Sequence, residues 1–186
     1  MSAAAHQLET CLGGSTVLVG IGNRWLRDDG AGPLLMDRVA GKVRARCIDA
    51  GDAPERHLGE ALHSQPETII LVDAVDFGGS PGEIAVFGGG DLPARLGTTH
   101  DVPLRVLMGY LAAEGRATVL LVGIQPASVG FGEGMSAPVE ASVEALADLL
   151  EARLQGSGQA TSAAAGAAAG PPTARQFRGE QRGQSD

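Results

Sequence analysis

The run Thr68-Ile69-Ile70-Leu71-Val72 carries no charge and is apolar on both of its faces. A strand of that kind has to be covered on both sides, which is the condition of a central strand in a parallel sheet held between helix layers. The rest of the chain supplies the parts. Residues 16–21, 45–48, 83–87 and 118–124 read as further strands, the second ending at Asp49-Ala50-Gly51. Helical spacing of apolar residues lies between or after them: Leu35, Val39 and Val43 behind Pro33, a second helix from Pro54 to about residue 63, Leu104, Leu107 and Leu111 behind Pro103, and Val139, Val143, Leu146 and Leu150. Gly78-Gly79-Ser80-Pro81-Gly82 is turn chemistry and leaves no room for a helix between strands three and four. This predicts a hairpin, with strand four antiparallel at a sheet edge. The expected fold is α/β: a three-layer sandwich whose five-stranded twisted sheet is mostly parallel, with one antiparallel edge strand and helices on both faces.

The chain of 186 residues is long enough for one domain with a real core. Residues 15–155 are expected to form it. Residues 1–14 show no periodicity and residues 156–186 collapse into Ala, Gly, Ser, Gln and Pro, so both ends read as disordered. A net charge of −8 and a single lysine, Lys42, argue against nucleic acid as a partner. No apolar run approaches the ~20 residues of a membrane span, and no basic, apolar leader opens the chain, which points to the cytoplasm and to no membrane partner. Cys11 and Cys47 form no close-spaced motif and read as packing or inert thiols.

Chemistry is expected at the carboxyl ends of the strands. There the first strand runs into Gly22-Asn23-Arg24-Trp25-Leu26-Arg27-Asp28-Asp29-Gly30-Ala31-Gly32, a glycine-rich loop with two adjacent carboxylates. A phosphate loop would present bare N–H groups or basic residues, so this one is built to meet a cation. A helix start accounts for one of the two acids. Asp73 ends the apolar third strand, whereas Asp76 beside Phe77-Gly78-Gly79 reads as a carboxylate satisfied by turn N–H groups. His100 stands at the end of a long loop that has to return to the edge holding Asp73, because an antiparallel strand four ends at the opposite edge. His57 and His63 read as solvated helix residues, and His6 lies in the ragged N-terminus. Asp29, Asp73 and His100 would make an O/O/N set suited to a divalent ion with open positions. No H-E-x-x-H or G-x-S-x-G occurs, and Trp25 stands where a dinucleotide fingerprint needs its third glycine.

Six segments in order resemble the maturation endopeptidases of nickel–iron hydrogenases. They are Gly20-Ile21-Gly22-Asn23 with Asp28-Asp29-Gly30-Ala31-Gly32; Asp49-Ala50-Gly51 with Ala53-Pro54-Glu55; Val72-Asp73-Ala74; Pro81-Gly82-Glu83; Thr98-Thr99-His100; and Gly123-Ile124-Gln125-Pro126. Thr98-Thr99-His100 and Gly123-Ile124-Gln125-Pro126 resemble the branch serving formate-hydrogenlyase-type enzymes. The loop Phe131-Gly132-Glu133-Gly134-Met135-Ser136 departs from that branch, with Gly and Glu where aromatic residues are common.

The resemblance implies an aspartyl-type hydrolase acting as a monomer on the precursor of a hydrogenase large subunit. It would cut near the C-terminus after nickel insertion. No resident cofactor is implied: the nickel belongs to the substrate, and the family's metal-contacting and catalytic positions fall on Asp29, Asp73 and His100. Asp29, with an acidic neighbour, is the candidate general base. Asp28 is left with a helix-start or supporting role, and the loop glycines are expected to let the partner's backbone come close. A non-catalytic nickel-site chaperone or sensor on the same fold, and a nucleotide-binding module, are the alternatives.

Overall fold

The computed structural model describes residues 3–93, 96–97 and 103–155. Five strands form one sheet: β1 (Thr16–Ile21), β2 (Arg46–Gly51), β3 (Thr68–Ala74), β4 (Ile84–Gly88) and β5 (Thr118–Ile124). Their spatial order is β2-β1-β3-β5-β4. All neighbouring pairs are parallel except β4 with β5. The expected α/β sandwich with one antiparallel edge strand is therefore the observed one. β3 is its middle strand, and every one of its residues is buried.

The hairpin expectation needs correction. β4 is antiparallel and lies at an edge, but it pairs with β5, which is inserted between β3 and β4. The physical reason lies in the burial demands of the strands. β5 buries six of its seven residues and takes the covered place beside β3, while β4 is half-buried throughout and suits an edge.

Five α-helices cover the sheet: α1 (Ala3–Cys11), α2 (Ala31–Val39), α3 (Leu58–Leu62), α4 (Leu104–Gly115) and α5 (Ala137–Arg153). Alternate residues of the strands feed two separate cores. Leu18, Ile70, Val72 and Val122 pack with α1, α2 and α5. Val17, Val19, Ile69, Leu71 and Leu121 pack with α3 and α4. Both sets of the period-2 pattern are buried, as a two-sided sheet requires. Arg38 of α2 and Lys42 just after it pair with α5 through Glu144 at 3.1 Å and Glu151 at 2.9 Å.

The N-terminal segment expected to be disordered forms α1 instead. A single apolar anchor, Leu8, is 1% exposed in the core, and the helix packs against β4. Its end is tied down by Thr68 Oγ1 donating to the Cys11 carbonyl at 3.2 Å, and Glu9 pairs with Arg153 at 2.7 Å. With so few apolar residues its periodicity is invisible in the sequence. The C-terminal tail, residues 156–186, lies outside the described residues. No described helix is long and apolar enough to cross a membrane.

Glycines set how closely α2 meets the sheet. A Cβ on Gly32 would lie 2.5 Å from both the Ile21 nitrogen and the Val72 carbonyl oxygen, and against the Ile21 carbonyl. All three are backbone atoms of β1 and β3, so none can swing aside. Gly32→Ala is expected to destabilise the protein by about 2–4 kcal/mol in urea unfolding. Gly59 in α3 has nothing within reach of a Cβ, so Gly59→Ala is expected to stabilise by roughly 0.5–1 kcal/mol.

Candidate functional site

β1 ends at Ile21, and the chain then turns on Gly22 at φ 138°. A side chain there would run into the Asp29 carbonyl oxygen, so the turn folds back tightly on its own continuation. The loop glycines thus serve internal packing. Gly22 meets Asp29, and Gly32 meets the strands, rather than leaving space for a partner's backbone as expected. Asn23 shapes the next bend, its Oδ1 accepting the Trp25 N–H at 2.9 Å. Arg24 braces the loop from outside, donating to Asp37 Oδ2 at 2.6 Å and to Asp49 Oδ2 at 2.8 Å. A short 3-10 turn, Arg27–Gly30, follows and leads directly into α2.

The two adjacent aspartates of this turn are both 0% exposed. Asp29 accepts the Asn23 backbone N–H on Oδ2 at 2.7 Å, which aims its carboxylate back over the end of β1. The turn packs against β3. Asp73, also 0% exposed, stands one residue before the carboxyl end of that strand, in register with Gly123 of β5. The first two members of the expected set are thus held by touching elements at one edge of the sheet.

The third, His100, lies outside the described residues. The chain's return towards it is described, however. Gly97 and Asp76 exchange both backbone hydrogen bonds, at 2.9 and 3.1 Å, which brings the long loop back beside the exit of β3. Gly97 precedes His100 by three residues. Among the described residues, no three His, Cys, Asp or Glu side chains are grouped to hold a metal ion.

Two polar hubs build this edge, and their partners were not foreseen from the sequence, which left Asp28 a helix-start or supporting role and Gln125 only a place in a matching segment. One is Asp28, whose carboxylate turns away from Asp29 and reaches a loop some hundred residues further along. Its Oδ2 accepts the N–H groups of Ala127 at 2.8 Å and Ser128 at 3.0 Å and the Ser136 hydroxyl at 3.0 Å. Its Oδ1 accepts the Ser136 N–H at 2.6 Å. Asp28 therefore fastens the loop after β5 to the loop after β1. Backbone pairing adds to this: Gly132 N–H donates to the Trp25 carbonyl at 2.9 Å, and Arg27 N–H donates to the Gly132 carbonyl at 3.2 Å. Arg27 adopts φ 51° to do so, a conformation that costs a non-glycine residue about 1 kcal/mol.

The second hub is Gln125, 7% exposed at the end of β5. Its Oε1 accepts from Phe77 and Gly79 N–H at 3.0 Å each, and its Nε2 donates to Asp76 Oδ1 at 3.0 Å. That amide, with the Gly78 N–H, holds the Asp76 carboxyl below the usual carboxylate range. Asp76 is thus the loop-satisfied acid it was expected to be. The signals for Gln125 were its place in the segment Gly123-Ile124-Gln125-Pro126 and an uncharged amide directly after six apolar positions. Burial pushes the Cys47 thiol up to about 11, in keeping with an inert packing residue.

Removing the Asp28 carboxylate strands several part-buried N–H donors at once. Asp28→Ala is expected to cost ~2–4 kcal/mol in urea unfolding. Asp28→Asn is expected to fall between wild type and Asp28→Ala, because its NH2 group must face at least one of those donors.

Comparison with known proteins places this chain in a family. A family model described as hydrogenase maturation protease, HycI, matches residues 33–153. The hydrogenase 3 maturation protease of Escherichia coli K12 is 38% identical over 127 residues, spanning 67% of this chain and 81% of that protein. The crystal structure of the NiFe hydrogenase maturation protease HycI from Thermococcus kodakarensis KOD1 superposes with a TM-score of 0.73 at 30% identity, covering 80% of this chain and 98% of that one. The solution structure of the endopeptidase HycI from Escherichia coli gives a TM-score of 0.67 at 35% identity, covering 79% and 97%. Fold and sequence agree on one conclusion: the chain belongs to the hydrogenase maturation protease family and is a peptidase.

Proposed function

We propose that the enzyme removes a C-terminal extension from the precursor of a nickel–iron hydrogenase large subunit, and that it recognises nickel already inserted in that substrate. Asp29, Asp73 and His100 would engage the ion, which stays part of the substrate throughout. One observation carries the reading: the turn holding Asp29 packs on the strand holding Asp73, and Gly97 brings the chain back to that same edge shortly before His100. Two carboxylates and an imidazole complete an open coordination sphere, while softer thiolates on the precursor retain the ion. The loading state of the substrate then becomes a condition for cutting it.

Asp29 has the placement of a general base. Its backbone is fixed by the 3-10 turn and its carboxylate is aimed by the Asn23 N–H. The neighbouring acid does not compete with it for a substrate, because the Asp28 oxygens are engaged by the 127–136 loop. A buried carboxylate in that position can take a proton from a water attacking the scissile carbonyl.

Incubation of purified precursor with the enzyme, followed by electrophoretic mobility, tests the reading. Truncation is expected with nickel-loaded precursor and not with nickel-free precursor. Asp29→Asn and Asp73→Asn are each expected to slow truncation by about a hundredfold or more. Normal cutting of nickel-loaded precursor by Asp29→Asn would remove both roles given to Asp29. Stable binding without truncation by the wild-type protein would favour the non-catalytic chaperone.

A further inference from the structure

The chain has one Trp, one Tyr and four Phe. Phe77 and Phe87, both half-buried against the core, pack edge to face, their ring centroids 5.9 Å apart. The Trp is used differently: Trp25 is 60% exposed, and Phe131 is 84% exposed. Both sit on the two loops that the Asp28 carboxylate fastens together, and Gly132, next to Phe131, donates its N–H to the Trp25 carbonyl. Two large apolar side chains are thus displayed on backbone that is held rigid, at the edge where Asp29 and Asp73 lie. Nothing in the fold requires them there, since neither belongs to a core. Exposed aromatics on a pre-organised frame are the usual material of a binding hot spot.

We propose that Trp25 and Phe131 grip an uncharged apolar side chain of the precursor polypeptide and so determine which precursor is accepted; this rests on the reading under Proposed function. The occupant follows from access. Trp25 stands four residues before Asp29 on one loop, and Asp28 fastens that loop to the one carrying Phe131, so a substrate chain that engages Asp29 meets both aromatics. Its charge follows from the groups flanking Phe131. A Cβ on Gly132 would lie 3.0 Å from Arg27 Nε, so a guanidinium stands beside the next residue, and the exposed Glu133 carboxylate follows it. One disfavours a cationic occupant and the other an anionic one, whereas an apolar side chain gains two aromatic faces. Gly132 itself, at φ 148°, lets the loop approach that guanidinium so closely.

The test uses the full chain and the nickel-loaded large-subunit precursor of the same organism's hydrogenase. Trp25→Ala and Phe131→Ala are each expected to raise KM about tenfold, with kcat within about a factor of two, the signature of lost ground-state binding. Trp25→Phe should recover most of the loss, and thermal melting should be unchanged in all three because the side chains are exposed. Trp25 is the only tryptophan, so 5-fluorotryptophan labelling gives one fluorine resonance, which should shift when unlabelled precursor is added. Efficient cutting with unchanged KM in both alanine variants, or an unmoved resonance, overturns the grip and leaves the protease reading standing. A resonance that moves with the protein's own concentration alone assigns the patch to a second copy and also overturns it. If wild-type enzyme cuts no loaded precursor, the protease reading falls, and the grip falls with it.

Discussion

The closeness of α2 to the sheet is the constraint on which the rest depends. At Gly32 the helix backbone stands within a Cβ's length of both β1 and β3, and Gly20 meets it from the strand side. With the helix start held there, the nine residues between β1 and α2 have no freedom to wander. They must fold back on Gly22, bend at Asn23, and enter the helix through a 3-10 turn. That turn delivers Asp29 to the end of β3. A carboxylate with no solvent contact is costly unless its surroundings are fixed and polar, and here the fixing comes from glycine-thin packing of backbone on backbone.

Asp28 and Asp29 show how far two neighbouring residues of one type can diverge. A 3-10 turn places consecutive side chains on different sides. One carboxylate faces the strand ends, and the other faces a loop contributed by the last third of the chain. Asp28 works as a long-range fastener of unusual economy, four hydrogen bonds from one side chain, and it makes the loops after β1 and β5 a single body. Charge-assisted bonds to several N–H groups hold such a loop more firmly than apolar contact would, because they specify orientation as well as proximity.

Much of this was legible beforehand, for identifiable reasons. Thr68–Val72 declared a doubly covered strand through its composition alone, and Leu104, Leu107 and Leu111 declared α4 through spacing. Asp73 could be singled out because a polar residue interrupts an apolar run. The place of β5 could not be read, because strand order depends on competition for covered positions, a property of the whole sheet. Helix α1 was hidden because one leucine, Leu8, carries its packing. A supporting role was expected of Asp28, but the loop it fastens was hidden because its partners are mostly backbone N–H groups, which every residue has. Gln125 belongs to the same class: its importance lies in the turn it satisfies, not in its own type.

The insertion of β5 between β3 and β4 has a consequence for how the molecule is made. As the chain leaves the ribosome, β4 emerges with no strand to join, since its sole neighbour in the sheet begins at Thr118, thirty residues after β4 ends. The sheet edge therefore closes last, once α4 has crossed the face and β5 has docked against β3. Until then β4 is an unpaired strand exposed to other chains. Its half-buried, short character limits that hazard, and α1, already synthesised and packed against β4 in the finished fold, is positioned to shelter it during the wait.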